Sequence, residues 1–106
     1  MDEFLVRVLA ELRARLEAVY GDRLAGLVLY GSQARGDAEA GSDIDVLVVL
    51  KGGLSPCEEI ERTIEDTARI SLEHDVVVSC VFVSEDRYRR EQSPLLLNVR
   101  REGVPV

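Results

Sequence analysis

Two short stretches in the first half of the sequence combine residue types and spacing suited to phosphate chemistry. Gly31-Ser32 follows a short apolar run, and after ten intervening residues Asp43 and Asp45 open a second, longer apolar run. Residues two apart on a strand project to the same face, so both carboxylates should point to one spot. Carboxylates this close repel each other unless a cation lies between them, and paired Asp oxygens suit Mg²⁺.

The glycine and serine suit the other half of such a site. Gly31 lets the backbone approach a ligand closely, and Ser32 can offer its hydroxyl and its N–H to phosphate oxygens. A metal site facing a phosphate cradle provides the two parts that phosphoryl or nucleotidyl transfer requires. Separately, a tight turn at Gly31-Ser32 and a solvated strand start at the aspartates would explain each stretch. Their joint occurrence favours the functional interpretation.

The elements that must position these residues alternate between helices and strands. The sequence predicts helices over 4–20 and from Pro56 to about Glu73, strands over 27–30, 43–50 and 76–83, and further helices beginning at Ser84 and Ser93, the last ending at Gly103. The long helix between the second and third strands favours a crossover with parallel pairing. The predicted fold class is therefore α/β (α+β), a small mixed sheet flanked by helices, as one domain over 1–106.

Each of the two long helices has a predicted inward face. The stripe on the first helix consists of Leu5, Leu9, Leu12, Leu16 and Val19, and that on the second of Ile60, Ile64 and Ala68. Spacings of three and four residues lay such side chains along one side of a helix. Ser55, Pro56 and Glu58 form a predicted helix start, with Ser55 as the cap.

The stretch from Leu29 to Gly36, LYGSQARG, followed by GSDID ending at Asp45, resembles a family motif. The family is the nucleotidyltransferase superfamily related to DNA polymerase β, specifically its minimal nucleotidyltransferases. The resemblance spans nearly the whole chain and implies a polymerase β palm-like fold. It also implies an enzyme that transfers AMP from ATP to a hydroxyl acceptor.

The resemblance also assigns roles to individual residues. Gly31 and Ser32 would hold the ATP triphosphate, while Asp43 and Asp45 would be catalytic and bind one or two Mg²⁺ ions. Arg35 would reach a phosphate as a planar donor, or would simply pair with Asp37 on the surface.

The third strand departs from the family pattern. Catalytically complete members carry a third carboxylate there, but this chain has VVVSCV. Asp75, just before this strand, is the candidate third metal ligand, with a helix–strand turn residue as the alternative. His74 is interpreted as a helix C-terminal residue because no partner for a general base is evident. A catalytically weak nucleotide-binding or structural protein therefore stays open as a second hypothesis.

Composition and resemblance together predict the partners. The formal charge of −7 disfavours a nucleic-acid partner, and no apolar run approaches the roughly 20 residues of a membrane span. The first residues lack the basic region of a secretory signal, which predicts a cytoplasmic protein. By resemblance, the partner is a HEPN-type helical protein, as in toxin–antitoxin pairs, with a tyrosine or similar hydroxyl as acceptor. A homodimer is left open, and Cys57 and Cys80 are predicted to be buried free thiols.

Overall fold

A four-stranded mixed sheet organises the part of the chain that a computed structural model describes, residues 2–39 and 41–106. The elements are α1 (Glu3–Tyr20), β1 (Leu24–Tyr30), α2 (Ser32–Arg35), β2 (Ile44–Leu50), α3 (Pro56–His74), β3 (Val78–Ser84), α4 (Glu85–Arg90), α5 (Pro94–Glu102) and β4 (Val104–Pro105), with one 3-10 turn at Gly21–Arg23. The strand order is β3-β2-β1-β4. The predicted mixed sheet is confirmed. Strand β4 was not predicted, because two residues carry no periodicity.

Strand pairing follows the predicted crossover. β1 pairs antiparallel with both β2 and β4, whereas β2 and β3 are parallel. Parallel strands need a long connection, and α3 provides it. The parallel pairing of the second and third strands is therefore confirmed.

Strand β2 lies at the centre of the molecule and is covered on both faces. Its residues Ile44, Val46, Val48 and Leu50 pack with α1 and α3, on what we call the α1 face of the sheet. Leu47 and Val49 pack with α5, on the α5 face. A strand buried on both faces has the nearly continuous apolar sequence seen here.

Helix α1 matches its prediction closely. It begins at the cap residue Asp2, whose side chain accepts a hydrogen bond of 2.8 Å from the Leu5 N–H. The four predicted leucines are buried, together with Val8 and Tyr20, while Val19 is only half-buried. The leucine stripe thus covers one face of the sheet as expected.

The inward face predicted for α3 is wrong. Ile60 and Ile64 are 45% and 52% exposed, and the buried positions are Glu59, Thr63 and Ile70. Glu59 is buried because it accepts a 2.8 Å hydrogen bond from the hydroxyl of Tyr20, in α1. A buried polar side chain is tolerated when it is satisfied in this way. Helix α3 therefore turns Ile60 and Ile64 outward, while Ile70 is buried.

Smaller predictions have mixed outcomes. Ser84 and Ser93 cap α4 and α5 as predicted, but Ser55 stands at the start of α3 without a side-chain capping bond. Cys57 is exposed, contrary to prediction, because it lies on the outer side of α3. Cys80 is a half-buried free thiol, and burial raises its pKa to about 12. Across the described residues, no helix combines the length and apolar character that crossing a membrane would require.

Candidate active site

In the predicted site, the backbone of Gly31 lies directly against the side chain of Asp45. Gly31 ends β1 with φ 76° and ψ −158°, a combination that is essentially restricted to glycine. A Cβ at this position would lie 2.7 Å from Oδ2 of Asp45. The glycine is therefore required for two reasons, its backbone angles and the space that the carboxylate occupies.

Asp43 and Asp45 flank the first residue of β2 in the predicted arrangement. Ile44, between them, is buried on the α1 face, so both acids belong to the α5 face by alternation. Asp43 is exposed and Asp45 is half-buried. The pKa of Asp45 is raised above its ordinary value, first by burial and then by the negative charge of Asp43. Both effects make a bound cation favourable at this position.

Two residues that sequence reasoning did not assign to the site lie beside Asp45. Tyr30 pairs with Asp45 across β1 and β2, and Ser79 pairs with it across β2 and β3. Burial and the charge of Asp45 raise the pKa of Tyr30. Val81 and Val83 pack on the α5 face, so Ser79 shares that face with Asp45. The signal for Ser79 was the predicted parallel pairing, but its register could not be read from the sequence.

The short helix α2 lies between the Gly31 turn and the loop that leads to Asp43 and Asp45. We call the Gly31 turn and the aspartate pair together the Gly31–Asp45 junction. Ser32 is the first residue of α2 and is half-buried. The Gln33 side-chain amide donates a 3.3 Å hydrogen bond to the carbonyl of Ser42, next to Asp43. This contact holds α2 against the loop that leads into β2, and so keeps Ser32 near the aspartates.

Arg35 makes the surface pair considered as its alternative role. Its Nε lies 3.2 Å from Oδ2 of Asp37 and its Nη1 lies 3.5 Å from Oε2 of Glu102, at the end of α5. The hydrogen bond and charge of Asp37 raise the pKa of Arg35. These exposed pairs are weak, so a contact between Arg35 and a phosphate stays a prediction.

Asp75 lies between the end of α3 and the start of β3. It follows the last residue of α3 with φ 52° and ψ 50°, and it lines a cleft of about 300 Å³ together with Leu5 and Ser42. Leu5 belongs to the α1 face, opposite to the face that carries Asp45. Asp75 as a third metal ligand stays a prediction.

One other group of ligand-type side chains stands out. Within residues 2–39 and 41–106, the group of three such side chains whose ligand atoms all lie within 4.8 Å of one another is Glu11, Glu73 and His74. Nε2 of His74 lies 2.6 Å from Oε2 of Glu11, so a hydrogen bond between α1 and α3 accounts for this group. His74 is the last residue of α3, as predicted.

Comparison with known proteins decides the family. The sequence pattern of the nucleotidyltransferase domain matches residues 9–93, which include both aspartates and the Gly31-Ser32 turn. This chain belongs to the nucleotidyltransferase domain family. The resemblance and the enzyme class predicted from the motif are thereby confirmed.

Individual relatives of this nucleotidyltransferase agree with the assignment. A "putative protein adenylyltransferase" from Methanocaldococcus jannaschii is 31% identical over 75 residues, which cover 71% of this chain and 75% of the relative. A crystal structure of a "putative nucleotidyltransferase" from Sulfolobus solfataricus matches 97% of this chain and 82% of the other, with a TM-score of 0.62 and 23% identity. A toxin–antitoxin structure with AMP-PNP matches 91% and 69% of the two chains, with a TM-score of 0.66 and 21% identity. The two structures confirm the predicted nucleotidyltransferase fold.

The side chains at the junction fit the cofactor chemistry of a nucleotidyltransferase. Asp43 and Asp45 supply hard carboxylate oxygens on one face, which is the ligand type that Mg²⁺ prefers. The Gly31 backbone, free of a side chain, lies against one of these carboxylates. A donor phosphate and a metal ion could therefore be held side by side at this junction.

Proposed function

We propose that this nucleotidyltransferase transfers AMP from ATP to a hydroxyl group on a partner protein. The observation that carries the proposal is the contact between the glycine turn and the aspartate pair. Gly31 leaves only enough room for the Asp45 carboxylate, and Asp43 adds a second acid on the same face. A turn with a purely structural role would not require this approach.

The proposed roles follow from position and chemistry. Asp43 and Asp45 would hold Mg²⁺, which when bound would neutralise phosphate charge in the transition state. Gly31 and Ser32 would contact the triphosphate, the first through its backbone and the second through its hydroxyl and N–H. Arg35 would exchange its exposed partner Asp37 for a phosphate oxygen, at little cost because such surface pairs are weak.

The reaction proposed is a displacement at the α-phosphorus of ATP. The acceptor hydroxyl oxygen forms a bond to this phosphorus, the bond to the β-phosphate oxygen breaks, and pyrophosphate leaves. The hydroxyl proton passes to a base or to solvent. Orientation of the donor by residues on rigid strand ends is the main contribution expected of the chain itself.

A protein acceptor has two kinds of support. A relative 31% identical to this chain is named a "putative protein adenylyltransferase", and a structure of the same fold is described as a toxin–antitoxin with AMP-PNP. The formal charge of −7 also disfavours an acceptor rich in phosphates. We therefore propose a tyrosine or similar hydroxyl on a HEPN-type helical protein, in a cytoplasmic toxin–antitoxin pair.

A second candidate function is favoured by Ser79. The residue beside Asp45 in β3 is a serine, at the position where an acid could help to activate the acceptor hydroxyl. Asp75 lies on a cleft of the α1 face instead. The second candidate is accordingly a catalytically weak nucleotide-binding or structural partner of the HEPN-type protein.

The deciding experiment incubates the chain with the HEPN-type partner, Mg²⁺ and α-labelled ATP, and weighs the partner by mass spectrometry. The proposal predicts a gain of one or more AMP groups that is lost with Asp45→Asn. Asp22→Asn is the matched control, since Asp22 is an exposed acid in the turn that precedes β1, at the other end of that strand from Gly31. A partner that binds tightly but gains no mass with any divalent metal supports the second candidate and overturns the first.

A further inference from the structure

The sheet fixes only the inner members of the Gly31–Asp45 junction. Tyr30 and Asp45 are paired across β1 and β2, and Gly31, the next residue, lies against the Asp45 carboxylate. The outer members are Ser32 and Asp43. Ser32 is the first residue of α2, and Asp43 precedes the first residue of β2, so neither belongs to the paired strands. The position of Ser32 relative to Asp43 therefore depends on contacts outside the sheet.

Helix α2 holds Ser32 through contacts that are entirely local. The N–H of Ala34 donates to the Gly31 carbonyl at 3.1 Å, and the N–H of Gly36 donates to the Ser32 carbonyl at 3.0 Å. Gly36 ends the helix in the left-handed region, with φ 79°. These contacts tie Ser32 to the Gly31 turn, but they do not reach the aspartates.

The loop that leads into β2 closes on itself in the same way. The Ser42 N–H donates to the Glu39 carbonyl at 3.1 Å, and the Ser42 hydroxyl accepts a 2.9 Å hydrogen bond from the Glu39 N–H. These two contacts define what we call the Glu39–Ser42 turn, in which Gly41 has φ 83°. The turn holds Ser42, the residue before Asp43, but its two hydrogen bonds do not reach α2.

The side chain of Gln33 connects the two closed segments. Its amide donates a 3.3 Å hydrogen bond to the Ser42 carbonyl, and among residues 2–39 and 41–106 this is the hydrogen bond that joins α2 to the Glu39–Ser42 turn. Only the NH₂ end of a glutamine amide can donate to a carbonyl. Gln33 is half-buried and lines clefts of about 350 and 300 Å³, both of which include Leu5 of α1. Partial shielding from water strengthens such a bond relative to one on the open surface.

We propose that Gln33 is a positioning residue, which sets Ser32 and Asp43 at the separation that a metal-bound triphosphate needs. This inference rests on the proposed function, in which Ser32 contacts the triphosphate and Asp43 holds Mg²⁺. A Mg–O bond is about 2.1 Å long and tolerates little distortion, so a shift of either outer member weakens the contact between metal and phosphate. The Gln33 amide is bonded to the Ser42 carbonyl and acts on the ligands only through its neighbours.

Two glutamine variants separate the hydrogen bond from the shape of the side chain. Gln33→Met keeps the length of the side chain and removes the donor. Gln92→Met is the matched control, because Gln92 is the other glutamine of the chain, is exposed, and lies between α4 and α5. Circular dichroism checks that both variants are folded.

The first test asks whether the contact holds the loop, and it needs no nucleotide. Amide hydrogen exchange, followed by NMR, reports on the N–H groups of Glu39 and Ser42, which bond within the Glu39–Ser42 turn. Their exchange should be about fivefold faster in Gln33→Met than in wild type, as for the loss of one hydrogen bond, and unchanged in Gln92→Met. Equal exchange in all three proteins would overturn the proposal.

The second test asks whether the contact matters to the site. Calorimetry measures the ATP affinity of the same three proteins with Mg²⁺ and with EDTA, and so gives the factor by which Mg²⁺ raises this affinity. We expect the factor to fall about fivefold in Gln33→Met, while the affinity in EDTA stays within about twofold of wild type. A general loss of structure would instead lower both affinities.

The results distinguish this proposal from the proposed function. A wild-type chain whose ATP affinity does not respond to Mg²⁺ overturns both. A wild-type response that Gln33→Met keeps in full, or a loss in Gln33→Met that is equal with Mg²⁺ and with EDTA, overturns the positioning role of Gln33 alone.

Discussion

Strands β2 and β3 are parallel and begin at the same end of the sheet. Acidic residues precede both strands, but these acidic residues have different surroundings. At the start of β2, Asp43 and Asp45 share a face and the Asp45 carboxylate lies against Gly31. At the start of β3, Asp75 follows the helix end and His74 pairs with α1. Strand alternation and register, more than proximity in sequence, therefore decide which residues share a face with Asp45.

The largest effect is expected from Gly31→Ala, beside the start of β2. The added Cβ would meet the Asp45 carboxylate at 2.7 Å, and alanine would be held in a backbone conformation restricted to glycine. We expect loss of metal-dependent ATP binding and a decrease of about 1–3 kcal/mol in the free energy of unfolding. Calorimetry and chemical denaturation measure the two quantities.

Gly53→Ala is the control for this substitution. Gly53 has no positive φ, and a Cβ there would meet nothing within 4 Å. It should leave ATP affinity unchanged. Normal metal-dependent affinity in Gly31→Ala would contradict the role given to the glycine turn.

A smaller effect is expected from placing an acid at the start of β3, through Ser79→Asp. Ser79 pairs with Asp45 on the α5 face, so the variant adds a third carboxylate where the register places one. Without metal, like charges on neighbouring strands should lower stability by up to about 1 kcal/mol. The affinity for Mg²⁺ should rise about tenfold, because the affinity of such a site increases with the number of charged ligands.

Thermal melting with and without MgCl₂ compares Ser79→Asp with the uncharged, similarly sized Ser79→Asn. Only Ser79→Asp should melt at a higher temperature when MgCl₂ is added, because a ligand that binds the folded state stabilises it. The same Mg²⁺ response in both variants would show that Ser79 is not beside the proposed site.

The smallest effect concerns the hydrogen bond between His74, at the end of α3, and Glu11. The hydrogen bond from His74 lowers the pKa of Glu11 below its ordinary value of 4.5. An acid with a lowered pKa in the folded state stabilises the fold above its unfolded pKa, and this contribution is lost as the pH falls through the folded value. Glu11→Gln should therefore lower the melting temperature slightly at pH 7, with the difference disappearing well below pH 4.5.

A double-mutant cycle with His74→Asn isolates the pair from other effects of each substitution. ATP affinity should stay unchanged in all three variants, since this contact joins α1 and α3 on the face of the sheet opposite to Asp45. A pH-independent difference between wild type and Glu11→Gln would exclude the ionised Glu11 carboxylate as its cause.

The two long helices show how far the sequence predicts the fold. For α1, the leucine stripe predicted both the helix and its buried side correctly. For α3, the pattern located the helix but pointed to the wrong side, since Ile60 is exposed and Glu59 is buried. Periodicity identifies an apolar side, but the neighbouring elements decide which side is covered. Here the Tyr20 hydroxyl satisfies Glu59, a long-range contact that the sequence does not reveal.

In the candidate site, too, local patterns could be predicted from the sequence and long-range pairing could not. The positions of Gly31, Asp43 and Asp45 follow from local rules, because strand ends and alternation of two are short-range properties. The residue of β3 that lies beside Asp45 depends on the register between the two strands. A shift of one residue in this register would move every side chain of β3 to the opposite face of the sheet. That is why Ser79 could not be identified from the sequence, whereas Asp75 was predicted from its place just before the third strand.

The most direct test of the site is calorimetric titration of ATP, with and without Mg²⁺, into wild type, Asp45→Asn and Asp75→Asn. The two variants make the same chemical change beside the starts of the two parallel strands. We predict that Asp45→Asn loses the metal-dependent part of the affinity. For Asp75→Asn, a partial loss is expected if this acid is the third metal ligand, and an affinity within about twofold of wild type if it is a turn residue, as for a surface substitution away from a site. Metal-dependent affinity that survives in Asp45→Asn would contradict the assignment of the metal and nucleotide to the Gly31–Asp45 junction.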